Sequence, residues 1–149
     1  MTDVRALTVR QPWAALIAAG LKPVENRSWP VPAGFDGPLL IHAGSKDDAD
    51  GWAVPGVREA LGAPDLGRGL VYGALVAVVE RVTCHRCAEC CSDRWGEPGA
   101  FHWTLEGITA LPEPIVATGR LSLWRPDEEA VVAALAVSRT AGSVVVPGT

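Results

Sequence analysis

The pattern of apolar and polar positions predicts three short elements in the first third of the chain. Residues Arg5–Val9 alternate well enough for a strand. A proline then suits the first turn of a helix, and the apolar residues after it fall on one helical face until Gly20, which suits a left-handed C-terminal cap. The pattern therefore predicts a helix over Pro12–Ala19. Because Pro23 pushes the residue before it out of helical backbone, we expect an extended exit over Lys22–Trp29.

The rest of the chain shows further strands separated by loops. A compact apolar strand at Pro38–His42 is expected to end in a turn over Ala43–Lys46. Residues 47–69 indicate loops with one short helix near Val57–Leu61, and Gly69–Val82 is the longest β-rich run. Gly73 suggests a bend in that run, and a Cys-rich connection follows to about Pro98. Two further strands are expected over Ala100–Leu105 and Ile115–Trp124, the second with a bend at Gly119. The chain should end in a helix over about Glu128–Arg139, capped by Asp127, and a tail, Val144–Pro147, that is an edge strand or disordered.

These elements predict an α+β fold. Long strands with interior glycines favour a small β-barrel of five to six strands, with short intervening helices and a C-terminal helix, over a parallel sheet. The chain has 149 residues, of which 48 % are hydrophobic, and this is enough for one domain with its own core. No linker or repeat interrupts it. We therefore expect a single domain over 1–149, in which 126–149 form a helical appendage and tail.

Composition and charge exclude several classes of protein. No apolar run approaches the roughly 20 residues that span a bilayer, and the first residues lack a secretory signal, so we expect a cytoplasmic protein with no membrane partner. A net charge of −4 and a pI near 5.3 argue against a general DNA-coating protein. Residues 1–46 nevertheless hold five basic and three acidic side chains. A local anion-binding face and ordinary surface scatter both explain that excess.

The densest cluster of charged side chains is Lys22, Glu25 and Arg27. In extended backbone Glu25 and Arg27 point to the same face, so we expect them to pair and to fix the guanidinium. Lys22 is then left as a free ammonium for a phosphate or a polar substrate group. The alternative is an exposed ion pair beside a solvated lysine, which would stabilise the protein little.

The spacing Gly20-x-Lys22-x-x-Glu25-x-Arg27 has the GxKxxExR form of the ASCH domain family, which is PUA-like. The chain resembles this family over about Leu7–Trp124. The resemblance implies a small β-barrel with a cleft beside the GxKxxExR segment. Further segments that look like the family's are Arg10–Trp13, Asn26–Pro30, Leu40–Lys46, Phe101–Trp103 and Gly119–Trp124.

The resemblance also implies a function with RNA, because the family is associated with RNA binding. We expect a small cationic cleft that recognises single-stranded RNA or a modified nucleotide. In it Lys22 and Arg27 contact phosphate or base, and Glu25 orients Arg27 or accepts from a base amine. Trp29 and Trp95 lie in polar segments, where they can stack on bases, whereas Trp13 and Trp103 are expected in the core. The other expected cleft residues are Arg10, Gln11, His42, Ser45 and Lys46.

The alternative function is a hydrolase. One subgroup of the family hydrolyses N-acetylcytidine with a threonine nucleophile that the motif lysine activates. Lys22 matches that lysine, but Glu25 occupies the threonine position, so this mechanism is not supported. Lys22 and Glu25 would instead be an acid/base pair acting on an acylated nucleoside or on RNA, with His42 and His102 as further candidates for RNA cleavage.

All four cysteines, Cys84, Cys87, Cys90 and Cys91, fall within eight residues. The CxxCxxC triplet resembles part of an iron–sulfur ligand run, but no cysteine elsewhere completes it. A zinc site would need four ligands, to which His85 or His102 could contribute. The alternative is a variable loop of thiols. We expect no cofactor, with zinc as the alternative, and the oligomeric state is left open.

Overall fold

The computed structural model describes residues 3–62, 70–86 and 94–143, the last three of them as backbone alone. The strands in these ranges are β1 (Arg5–Gln11), β2 (Val24–Arg27), β3 (Leu39–Asp47), β4 (Ala74–Arg86), β5 (Phe101–Val116) and β6 (Leu123–Trp124). The helices are α1 (Trp13–Ala18), α2 (Ala49–Trp52), α3 (Val57–Ala60) and α4 (Glu128–Ser143).

The strands form one sheet in the order β2-β5-β4-β3-β1-β6. β1 and β3 are parallel, and every other pair is antiparallel. Within the described residues β2 and β6 are the two edges, so the sheet is not closed. The predicted α+β class is confirmed, while closure into a barrel stays a prediction.

The core lies on both faces of this sheet. Leu7 and Ile41 pack in one hydrophobic cluster with Ile17 of α1. Their sequence neighbours point to the opposite face, where Leu40 packs in a second cluster with Ala134 of α4. A strand that is covered on both faces needs apolar residues at consecutive positions. This explains why β3 opens with an apolar run rather than with an alternating pattern.

Several local predictions are confirmed. α1 lies inside the predicted range, and Gly20 adopts φ +76° just after it. The amides of Leu21 and Lys22 both donate to the Leu16 carbonyl, at 3.0 and 3.2 Å, so the glycine reverses the chain tightly. α3 lies within the predicted short helix. α4 begins at Glu128 as predicted and extends beyond the predicted end.

The prediction for the last strands is wrong. β5 is one strand of 16 residues, and only Leu123–Trp124 of the later predicted segment form a separate strand, β6. β5 pairs with β4 up to Ala110 and again at Ile115 and Val116, so backbone hydrogen bonds keep the segment after Leu105 extended. β4 itself begins at Ala74, five residues later than predicted, and continues to Arg86, into the predicted connection. Gly73 just before it has φ +69°, consistent with the predicted bend.

The region after His42 also differs from the prediction. Residues 43–46 are strand rather than turn: Ala43 faces Val9 of β1, and after a shift of register the parallel pairing resumes where Gln11 faces Asp47. Helix α2 was not predicted, and its cap is Asp48, whose carboxylate accepts from the Gly51 amide at 3.2 Å. The predicted tail Val144–Pro147 lies outside the described residues. None of the described helices is long and apolar enough to span a bilayer.

Candidate functional site

A cleft of about 790 Å³ opens beside β1, β2 and the end of β3. The loops 94–98 and 120–122 complete its walls. Six basic and three acidic side chains line it, although the whole chain has 13 basic and 17 acidic residues. The basic residues are Arg10, Lys22, Arg27, Lys46, Arg94 and Arg120, and the acidic ones are Glu25, Asp48 and Glu97.

A buried charge cluster forms part of the wall. The Lys22 ammonium donates to Glu25 Oε1 at 3.2 Å and to the Val24 carbonyl at 2.7 Å. Arg27 Nη2 donates to the other carboxylate oxygen of Glu25 at 3.4 Å. The side chains of Lys22 and Glu25 are only 3 % and 8 % exposed. The expected pairing of Glu25 with Arg27 is therefore present, but the expected free ammonium is wrong, because Lys22 shares the same carboxylate.

The chain reversal at Gly20 positions Lys22. The reversal brings the lysine back beside α1, where its ammonium lies 5.3 Å from the centre of the Trp13 ring. β2 then starts at Val24, whose carbonyl accepts from that ammonium. The ammonium thus has a carboxylate, a carbonyl and an aromatic ring as neighbours, which compensates for its removal from water.

Arg27 is fixed but keeps an accessible part. Its Nη2 donates to the Thr8 carbonyl at 2.9 Å as well as to Glu25, which ties β2 to β1 across the cleft wall. One quarter of the side chain is exposed. Its Nε is buried and has no hydrogen-bond partner. A guanidinium held in this way presents a pre-oriented cationic edge to a ligand in the cleft.

Two tryptophans and Asp48 form an aromatic part of the wall. Trp13 Nε1 donates to Asp48 at 2.8 Å, and Trp95 packs edge-to-face on Trp13 with ring centres 5.8 Å apart. The hydrogen bond from Trp13 is the main cause that lowers the pKa of the Asp48 carboxyl, with the Gly51 amide and the Arg10 charge acting in the same direction. Asp48 therefore stays ionised and holds the indole in place.

Asn26 joins the 94–98 loop to β2. Its side-chain amide donates to the Trp95 carbonyl at 2.7 Å, and its side-chain oxygen accepts from the Glu97 amide at 2.9 Å. Trp95 Nε1 also donates to the Leu21 carbonyl at 2.9 Å, and the Arg94 guanidinium lies 4.3 Å from the centre of the Trp95 ring. The loop is therefore positioned against the segment that carries the charge cluster.

The chain matches a known protein family over most of its length. The model of the ASCH domain matches residues 7–107, more than half of the chain. The chain belongs to the ASCH domain family. The matched range of this ASCH domain includes the charge cluster and the 94–98 loop, whereas the 120–122 loop and α4 follow it. That Gly20–Arg27 is the family's GxKxxExR motif stays a prediction. No curated protein matches the chain.

The structure brings six of the predicted site residues of the ASCH domain to the cleft. Besides the three residues of the charge cluster, these are Arg10 at the end of β1 and Ser45 and Lys46 at the end of β3. The side chains of these last three are exposed, so they are accessible to a ligand at the rim.

Three other predicted residues lie elsewhere. The buried Gln11 side chain donates to the Val71 carbonyl at 2.8 Å and accepts from the Ala15 amide, so it joins α1 to the segment before β4. Buried His42 contacts Thr8 Oγ1 and the Ala117 carbonyl and packs on Trp124. Trp29 packs edge-to-face on Trp103 and lines a separate, smaller groove.

Sequence reasoning missed several cleft residues. Trp13 is only half-buried and lines the cleft, whereas it was expected in the core. Arg94 precedes a tryptophan that was already a stacking candidate, and this adjacency was the available signal. Arg120, Leu121 and Ser122 lie in a segment that resembles the family, but nothing in the sequence marked them as cleft residues, because the packing of Gly119 against β1 and β3 brings their loop to the cleft.

Of the four clustered cysteines that were predicted as a loop or a metal site, the structure describes one. Cys87, Cys90 and Cys91 lie outside the described residues, and Cys84 is a free thiol on β4. His85 and His102 are 3.2 Å apart between ring nitrogens, and the other nitrogen of His102 lies 2.6 Å from the Glu97 carbonyl. Within 3–62, 70–86 and 94–143 no group of three or more His, Cys, Asp or Glu side chains could hold a metal ion. Zinc binding stays untested.

Proposed function

We propose that this ASCH domain binds single-stranded RNA or a modified nucleotide in the cleft. The observation that carries the proposal is the concentration of basic side chains around the cleft of an otherwise acidic chain. Cationic side chains bind phosphates, and aromatic rings stack on bases. The cleft volume of about 790 Å³ lies within the range typical of small-ligand sites.

The accessible cations at the rim are the phosphate contacts in this proposal. Arg10, Lys46 and Arg120 have exposed side chains, whereas the buried Lys22 ammonium is already paired with the Glu25 carboxylate. The fixed edge of Arg27 contacts a phosphate or a base carbonyl, because its donors are oriented before the ligand arrives. Trp95 offers a base-stacking surface that its hydrogen bond to Leu21 holds in position.

Calorimetric titration with the four nucleoside 5′-monophosphates and the four 5′-phosphorylated homotrinucleotides of RNA tests this proposal. We expect at least one of them to bind, and the double variant Lys46→Ala/Arg120→Ala to lower its affinity about tenfold or more, the effect of roughly 1.4 kcal/mol. Arg81→Ala is the matched control, because Arg81 is exposed on β4 and does not line the cleft. Absence of binding by all eight compounds would overturn the binding of RNA, and equal affinity of the double variant would overturn the phosphate contacts at the rim.

Hydrolysis is the second candidate function, and the observation that favours it is the contact between Lys22 and Glu25 beside the cleft. Incubation of the protein with N-acetylcytidine and with the RNA trinucleotides, followed by chromatography, tests it. A hydrolase gives products that disappear with Glu25→Gln. Binding without turnover by the wild-type protein identifies a binding module.

A further inference from the structure

A second cavity adjoins the cleft. This groove has a volume of about 450 Å³ and shares Ser122 with the cleft. On its far side it is lined by Trp29 and by the loop that includes Pro32 and Phe35. The two cavities therefore meet at the 120–122 loop, which borders both of them.

The residues just before the 120–122 loop are packed firmly at this boundary. His42 Nε2 lies 2.7 Å from the Ala117 carbonyl, and the Ala117 amide donates to the Gly73 carbonyl at 3.1 Å. Gly119 packs so closely that a β-carbon there would lie 2.8 Å from His42 and from Thr8. The loop then presents Leu121 to solvent with 93 % of its surface exposed. Leu121 thus lies at the surface between the two cavities, where a strand that joins them would contact it.

The groove offers aromatic and cationic groups. Trp29 is fixed by its edge-to-face contact with Trp103, at 4.8 Å between ring centres, and by the hydrogen bond that its carbonyl accepts from Trp103 Nε1. Phe35 is partly buried against the same core. At the open end, Arg5 hydrogen-bonds Asp3 at 2.8 Å and, with help from Arg125, lowers the pKa of that carboxyl. Arg5, the basic residue that lines the groove, is thus paired with a carboxylate.

We propose that the groove binds the base of a second nucleotide of a single-stranded RNA whose neighbouring nucleotide occupies the cleft, so that the strand crosses the 120–122 loop. This inference rests on the proposed function. It makes the ligand an oligonucleotide rather than a mononucleotide, and it holds for either 5′ to 3′ direction of the strand. Two adjoining cavities, each with an aromatic residue and a cation, match the repeat of base and phosphate along a single strand.

The arrangement predicts that affinity rises with ligand length. A second stacked base contributes about fivefold or more in affinity, the lower end of the range for base–aromatic stacking. Titration therefore compares each 5′-monophosphate with its 5′-phosphorylated homotrinucleotide. For the best-binding base we expect the trinucleotide to bind at least fivefold more tightly.

Two groove variants test where the gain arises. Phe35→Leu keeps an apolar side chain but removes the aromatic face. Ala33→Asp adds a negative charge at an exposed position that lines the groove. Both should remove most of the trinucleotide gain and leave the monophosphate affinity unchanged. Ala136→Asp on the exposed face of α4 is the matched charge control and should change neither affinity.

Failure of this inference differs from failure of the proposed function. If the trinucleotide binds no more tightly than the monophosphate, or if Ala33→Asp weakens both equally, the groove is not a second base site although the cleft still binds nucleotides. If none of the monophosphates or trinucleotides binds, both proposals are overturned. Thermal denaturation shows whether Phe35→Leu folds. If it does not fold, Ala33→Asp still decides the test, because it changes only an exposed side chain.

Discussion

Glu25 accepts hydrogen bonds from two cations, and this sharing decides what Lys22 can do. The three charged side chains lie within one short segment, and the two best buried, Lys22 and Glu25, are in direct contact. Removing one partner of a buried ion pair is costly, because the other charge loses compensation. Without Lys22, the Glu25 carboxylate would keep only the longer contact with Arg27, at 3.4 Å. Lys22 therefore has a structural function in addition to any function toward a ligand.

Replacing Lys22 should consequently destabilise the fold. We expect Lys22→Met to lower the free energy of unfolding by about 3 kcal/mol, as measured by urea denaturation. The control is Lys46→Met, whose side chain is exposed and should change stability by no more than about 0.5 kcal/mol. Equal stability of the two variants would show that the contact between Lys22 and Glu25 contributes little.

Tyr72 provides a residue-scale prediction about pH. Burial and the hydrogen bond to Asp47, 2.6 Å long, raise its pKa from 10.0 to about 12. The folded state thus favours the neutral phenol, so Tyr72 contributes stability that is complete below pH 10.0 and is lost as the pH rises towards about 12.

This tyrosine is the only one in the chain, so ultraviolet absorbance of the phenolate reports its titration directly. We expect a midpoint near 12 in the folded protein and a lower one in Asp47→Asn, which removes the charged acceptor. In urea the unfolded chain should titrate near the ordinary value of about 10. The same midpoint in folded and unfolded protein would contradict the raised pKa.

At the scale of elements, β5 shows how one residue keeps a long strand continuous. Gly107 lies in the middle of the strand with φ +68°, a backbone conformation that L residues rarely adopt. A β-carbon at this position would lie 2.7 Å from the Cβ of Glu80 on β4. The glycine therefore permits both the local change of direction and the close approach of β4.

Gly107→Ala should destabilise the protein by more than about 2 kcal/mol, because the left-handed backbone alone costs about 1–2 kcal/mol and the contact with Glu80 adds to it. Gly99→Ala is the control: its φ is +82°, but a β-carbon there meets nothing within 4 Å. Only the backbone cost of about 1–2 kcal/mol is expected for it. Urea denaturation of both variants measures the difference, and equal losses would exclude an effect of the contact with β4.

At the scale of the whole molecule, charge is distributed unevenly. The chain carries −4 overall, yet basic side chains outnumber acidic ones two to one around the cleft. A small cationic region on an acidic protein attracts a short anionic ligand locally and repels a long polyanion elsewhere. Net charge thus restricts the size of the ligand more than its chemical class.

Salt dependence tests this distribution. For the best-binding trinucleotide, each phosphate contact contributes about −0.7 to the slope of log affinity against log salt concentration, so two contacts give about −1.4. We expect a slope of that size between about 50 and 200 mM salt, and no comparable binding of a long DNA duplex. A duplex that binds more tightly than the trinucleotide, or a slope near zero, would contradict the local character of the cationic region.

The sequence by itself determined the features that arise from near neighbours. A proline and Gly20 limit α1, and the spacing of Glu25 and Arg27 pairs these two charges, because side chains two residues apart on extended backbone point to the same face. The resemblance to the ASCH domain family also came from the sequence, and the family match confirms it. These features depend on few long-range contacts.

Only the tertiary structure decided which distant residues join the cluster. The sequence predicts both Trp29 and Trp95 as stacking residues. Asn26 holds the loop of Trp95 beside the cleft, whereas contact with Trp103 places Trp29 in the groove. The same applies to residues 106–110 of β5, which are strand because they pair with β4. Such outcomes depend on contacts between residues far apart in the chain, and local pattern does not encode which partner a polar segment will find.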